Sequence, residues 1–179
     1  DVDKGTQVRE LDSGGAPIGS LRFSSDGKTL VSASRSREKL ILWEVSSGRR
    51  LRTLEGDTTP IWSQVFSPDG STLWAVTEAG TIKSWQTNGW KANWQVETSS
   101  RYVKSLAVSP DGKKLCTVSN DGFLRLWSAE KGKQLAEVKM APDRCFVDQA
   151  AFTSNGRHLL TANGNGTVYV FQLPLATDE

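Results

Sequence analysis

Histidine is almost missing from this chain: His158 is the only one. Cysteine is scarce too, at two, Cys116 and Cys145. A hydrolytic nucleophile would have to draw on a single imidazole, and no Gly-x-Ser-x-Gly elbow is present. No histidine or cysteine cluster has metal-ligand spacing. Two cysteines do not make a disulfide framework, although one bridge between them remains open. No apolar run approaches the roughly 18 residues of a membrane helix, and no signal-peptide pattern occurs. Charge of one sign is missing as well, with 22 Lys and Arg against 20 Asp and Glu, a net of +2. Such a balance sets up no strong field for nucleic acid or anionic lipid. These absences lead to the expectation of no enzyme, no metal, no cofactor, no nucleic acid and no membrane. The cytoplasm is the default expectation for compartment.

What the sequence does hold is glycine and tryptophan, 16 and seven among 179 residues. Their placement is periodic. "FSSDGKTL" begins at Phe23, "FSPDGSTL" at Phe66, "VSPDGKKL" at Val108 and "FTSNGRHL" at Phe152. The turn glycines Gly27, Gly70, Gly112 and Gly156 are spaced 43, 42 and 44 residues apart. An aromatic landmark follows each: Trp43, Trp85, Trp127 and Phe171. Four copies at one period mark a repeat architecture.

Each copy reads as short strands. A half-alternating strand ("IGSLRFS", "IWSQVFS", "VKSLAVS", "VDQAAFT") leads into an Asp-Gly or Asn-Gly turn. That turn predicts a two-residue hairpin with positive φ. A second strand, a polar glycine turn and a third strand ending on the aromatic come next. A polar fourth strand such as "RRLRTL" suits an exposed edge. No helical period competes, so the class is all-β. One four-stranded sheet cannot bury both its faces; radial stacking of several can.

The "SPDG" turns, the run "SNDGFLRLW" ending at Trp127 and the period near 42 resemble WD-repeat β-propeller blades across essentially the whole chain. The resemblance implies four-stranded antiparallel blades in four WD-like repeats. The family's Gly-His pair is absent from all four copies, and its turn aspartate survives only as Asp121, with Ala79 and Asn165 at aligned positions. The buried Asp-His-Ser-Trp network of the family is therefore not expected as such, and apolar packing must contribute more.

The repeat frame is offset from the chain. "DVDKGTQVRELDSG" aligns with "EVSSGRRLRTLEG", which follows Trp43, so residues 1–14 read as an outer strand without its own blade. Blades are expected at 15–57, 58–99, 100–143 and 144–174, the last with three strands, and a tail at 175–179. By analogy with the family's ring closure, residues 7–11 would pair beside 167–172 as the outer strand of the last blade. Blades of this type resemble those of seven- or eight-bladed rings. The expectation is therefore a fragment of a longer propeller, or a homodimer completing an eight-bladed ring, rather than a closed four-bladed ring.

With no chemistry in view, the sequence points to a binding surface for a protein or peptide. In the family this is most often the top face. Aligned positions at the start of each first strand are Pro17 and Gly19, Pro60 and Trp62, Tyr102 and Lys104, Phe146 and Asp148. The position before the turn aspartate gives Glu78, Asn120 and Gly164. Trp62, Tyr102 and Phe146 are either hot-spot aromatics or inter-blade packing. Arg35 and Arg37, in the insertion "SRSREK", are either a carboxylate or phosphate site or a solvated loop. Trp90 and Trp94, on the outer strand of the second copy, suggest an exposed aromatic patch. An alternative function is the regulatory or targeting domain of a larger multidomain enzyme.

Overall fold

The computed structural model describes residues 3–35, 39–55, 59–140 and 146–173. All regular structure is β. The first sheet runs in the order β1 (Ile18–Phe23), β2 (Thr29–Ser34), β3 (Lys39–Glu44), β4 (Arg50–Glu55). The second runs β5 (Ile61–Phe66), β6 (Thr72–Thr77), β7 (Thr81–Gln86), β8 (Lys91–Glu97). The third runs β9 (Val103–Val108), β10 (Lys114–Ser119), β11 (Phe123–Ser128), β12 (Gln134–Lys139). The fourth has only β13 (Val147–Phe152), β14 (His158–Asn163) and β15 (Val168–Gln172). Every pairing is antiparallel, between strands consecutive in the chain. These are β-propeller blades.

The turn between first and second strands is built the same way four times. In the first sheet Gly27 N–H donates to the Ser24 carbonyl at 2.9 Å, and the Ser24 N–H to the Thr29 carbonyl at 2.8 Å. Asp26 accepts from the Ser24 hydroxyl at 2.6 Å and the Lys28 N–H at 3.0 Å. Asp69, Asp111 and Asn155 do the same in the other copies. Only the glycine takes a positive φ, between 68° and 73°. The expected two-residue hairpin is thus corrected to a longer turn. The serine or threonine before it and the acid or amide within it consume the backbone donors, so one left-handed residue is enough.

Sheets pack face to face in chain order. Val31, Ala33, Leu40 and Leu42 of the first sheet meet Phe66, Leu73, Ala75 and Trp85 of the second. Trp74, Val76 and Ile82 then meet Leu106, Leu115 and Trp127. Cys116, Val118, Leu124 and Leu126 meet Val147, Ala150 and Leu159. All of these are buried, each contributing about 1.5–3 kcal/mol for the larger side chains.

The series does not close. Among the described residues, no strand of the first sheet packs on a strand of the fourth as neighbouring sheets do. The first sheet leaves Leu21 and Phe23 exposed, and the fourth leaves Val168 and Val170 exposed. The chain exposes 10512 Å², against roughly 8,600 Å² for a compact monomer of this mass. The expected pairing of residues 7–11 beside 167–172 is not formed: β15 has a neighbour on one side only. The segment instead lies against the first sheet, where Arg9 Nη1 donates to the Val45 carbonyl at 2.8 Å and Arg50 Nη2 to the Asp12 carbonyl at 3.3 Å. The gap between the end sheets keeps the segment from reaching β15.

Candidate interaction site on one rim of the sheets

One backbone hydrogen bond recurs at the same rim of every sheet. Arg35 N–H donates to Pro17 at 2.9 Å, Glu78 to Pro60 at 2.8 Å, Asn120 to Tyr102 at 3.3 Å and Gly164 to Phe146 at 2.7 Å. Each bond ties the turn between second and third strands to the start of the first strand. The residues expected on the top face therefore come together on one rim, sheet after sheet. Arg37 and Cys145 lie outside the described residues.

A second device recurs two residues further on. The register of each first strand slips at Gly19, Trp62, Lys104 and Asp148. A bulge leaves one residue unpaired and re-aims its side chain. The four residues of this one aligned column are thus freed from the ladder. Sequence alignment found the column; nothing in it signalled the bulge.

Trp62 is half-buried. The Lys104 ammonium stands 4.5 Å from its ring centroid and the Arg35 guanidinium 6.0 Å. Gly19 makes the seat for Arg35, since a Cβ there would meet Arg35 Cγ at 2.5 Å. The repeat alignment places Gly19 at the rim, and its role as this seat shows only in three dimensions.

Tyr102 and Phe146 stand half in water, 50% and 54% exposed. Tyr102 has φ 57°, a left-handed conformation unusual for a bulky residue. Its N–H donates to the Glu78 carbonyl at 2.8 Å and its carbonyl accepts from Asn120. The first of these bonds joins the second and third sheets, the second lies within the third, and together they offset the strain of about 1–3 kcal/mol. Glu78 and Asn120 are half-buried, and Asp148 and Arg35 are exposed.

Beneath this rim the third sheet holds a polar network centred on the buried Arg125. Asp121 accepts from the Ser100 hydroxyl, from Ser119 Oγ at 2.5 Å and from Arg125 Nη2 at 2.9 Å. Arg125 Nε also donates to Glu137 at 2.6 Å. Burial pushes the Asp121 carboxyl up, but the hydrogen bonds from Ser100, Ser119, Arg125 and Phe123 N–H outweigh it and hold the group below the ordinary carboxylate range. Ser100 and Arg125 are donors to Asp121 in a chain whose single histidine, His158, lies in the fourth sheet. The tryptophan end of the family network is partly kept: Trp43 Nε1 donates to Ser32 Oγ at 2.8 Å and Trp127 Nε1 to Thr117 Oγ1 at 2.9 Å.

The proposed aromatic patch of Trp90 and Trp94 is not on the surface. Trp90 packs edge-on to Phe66, with ring centroids 6.5 Å apart, and Trp94 fills the space left by Gly132. Both are half-buried in inter-sheet packing. Arg49, Arg50 and Arg52 are held locally, by Glu44, the Trp43 ring and the Gly89 carbonyl.

A cleft of about 680 Å³ lies between the turns of the second and third sheets, over Trp74. It contains none of the rim residues, and its Asp69 and Asp111 are occupied by their own turns. Among the described residues no group of three or more His, Cys, Asp or Glu could hold a metal ion, and no helix is long and apolar enough to cross a membrane.

A model of the WD40 domain of anaphase-promoting complex subunit 4 matches residues 65–147, and one of the WD domain, G-beta repeat, matches residues 5–43. No curated protein matches the chain. The two matches together lie on the first three sheets and stop at Val147, the first residue of the fourth, and the second ends on the landmark Trp43. The chain belongs to the WD-repeat β-propeller family.

Proposed function

We propose that this chain is a non-catalytic interaction scaffold that engages a protein or peptide segment through the rim carrying Trp62, Tyr102 and Phe146. WD-repeat domains generally mediate protein–protein interaction and are typically non-catalytic. The observation that carries the reading for this chain is the exposure of Tyr102 and Phe146 at matching places on adjacent sheets. Large aromatics open to water beside charged groups have the composition of interface hot spots. Selection of a displayed random-peptide library on the chain tests this. Binders should lose at least about tenfold in affinity for the Tyr102→Ala/Phe146→Ala variant, the loss of one hot spot. Binders indifferent to both residues would contradict the reading.

A second reading, self-association, rests on the uncovered end faces. In each interior junction the face of Val31 and Leu42, or its counterpart, packs on the face of Phe66 and Leu73, or its counterpart. Val170 of the fourth sheet stands in register with the first set, and Phe23 of the first sheet with the second. The two bare faces are therefore complementary in kind. Two copies joined by both faces would form an eight-bladed ring with twofold symmetry. Residues 7–11 would then adjoin the partner's open β15. The repeat match beginning at residue 5 supports an outer-strand role for that segment.

A further inference from the structure

Several basic side chains of this surface have local acceptors. Arg125 lies on Asp121 and Glu137, Arg49 on Glu44, and Arg9 and Arg52 on backbone carbonyls. Arg35 and Lys104 differ. Among the described residues neither forms an ion pair, and both lie against the same ring, that of Trp62. A cation over an aromatic face keeps its outward N–H donors and most of its charge. The ring orders the two side chains in advance, so less rotamer entropy is lost when an anion arrives. Three separate features build this row. Gly19 leaves room for Arg35, and bulges free Trp62 and Lys104 from their ladders.

We infer that the Arg35–Trp62–Lys104 row is the subsite for an acidic segment of the protein partner, its carboxylates meeting the two cations. This rests on the reading of the rim as a protein-binding surface and adds the chemistry it selects. The guanidinium offers a fork to one carboxylate and the ammonium a point charge to another. Glu78 and Asp148 are the acidic side chains of the described rim, and neither pairs with Arg35 or Lys104. Asp148 stands one sheet beyond Lys104, so it repels an acidic run over the fourth sheet.

The probe is a fluorescein-labelled acetyl-Glu-Glu-Leu-Glu-Glu peptide, titrated with the full chain and read by anisotropy. The lysine counterpart of the peptide is the control. The expected result is saturable binding of the acidic peptide alone, weakening as salt rises. Charge reversal at both cations, Arg35→Glu/Lys104→Glu, should weaken it at least about tenfold. Arg35 is exposed and Lys104 half-buried, and an unchanged melting temperature shows that the variant is folded. Trp62→Leu should also weaken binding, while Trp62→Phe keeps a ring and retains most of it. Absence of saturable binding, or binding that survives the double reversal, overturns the inference. Library binders that need Tyr102 and Phe146 but carry no acidic residue also overturn it, and leave the broader rim reading standing.

Discussion

The Ser63 hydroxyl accepts the backbone N–H of Leu106 at 3.2 Å, across the junction between the second and third sheets. One sheet on, the Ser105 hydroxyl accepts the N–H of Ala150 at 3.3 Å. Ser63 and Ser105 occupy the same register position, opposite Val76 and Val118. In the first junction Ser20, opposite Ala33, bonds the side chain of Gln64 instead. A small hydroxyl thus stitches each sheet to the next inside an otherwise apolar contact. Ser63→Ala and Ser105→Ala each leave a backbone N–H unmatched, and each should cost about 1–3 kcal/mol in urea unfolding. Additive losses in the double variant would fit two separate junctions.

The landmark aromatics are predicted to differ in what they contribute. Trp43→Phe and Trp127→Phe remove an indole donor from Ser32 and Thr117, at about 1 kcal/mol each beyond lost packing. In the second sheet the matching position holds Ala75, which has no hydroxyl. Trp85→Phe should therefore be the mildest of the three when thermal melts are compared.

Arg125 is predicted to be the most sensitive polar residue. Its guanidinium is 4% exposed and faces two carboxylates. Arg125→Ala leaves Asp121 and Glu137 without their cation and should cost about 2–4 kcal/mol, reduced by their partial exposure. A loss below 0.5 kcal/mol, roughly that of an ordinary surface substitution, would contradict the network described.

The same carboxyl sets an acid dependence. Asp121 has its folded pKa depressed, so its stabilisation is full above the unfolded carboxylate range and is lost as pH falls through the folded value. Asp26 and Asp69 are held down by the serine hydroxyls of their turns. For Asp111 burial pushes up, but Ser109 and the Lys113 N–H prevail. Melting temperature should therefore fall below about pH 4. Asp121→Asn should flatten that fall, and an unchanged slope would count against the network.

Much of the fold was legible because the repeats carry it in residues whose geometry is local. Gly27, Gly70, Gly112 and Gly156 each take the positive φ that marks their turn. Trp43, Trp85 and Trp127 end third strands as expected. The rim was legible as aligned columns, and Tyr102 and Phe146 do stand in water. What was not legible depends on contacts between sheets. The bulges at Trp62 and Lys104 show in the register alone. The packing of Trp90 and Trp94 depends on space beside Phe66 and Gly132. The position of residues 7–11 depends on whether the end sheets meet, which no single repeat encodes.

The reactivity of Cys116 follows from position. It is fully buried, and burial pushes its thiol far up. It should stay unmodified by a thiol reagent in the folded protein and react once urea unfolds it. Fast labelling of the native chain at Cys116 would contradict the third junction.

The open arc with two complementary bare faces is tested most directly by solution mass, from light scattering on a sizing column across a dilution series. The account predicts a mass that rises from 19.6 kDa toward twice that value with concentration, and stays at the monomer in Phe23→Glu or Val170→Glu. A concentration-independent monomer, with a melting temperature unmoved by either substitution, would contradict it.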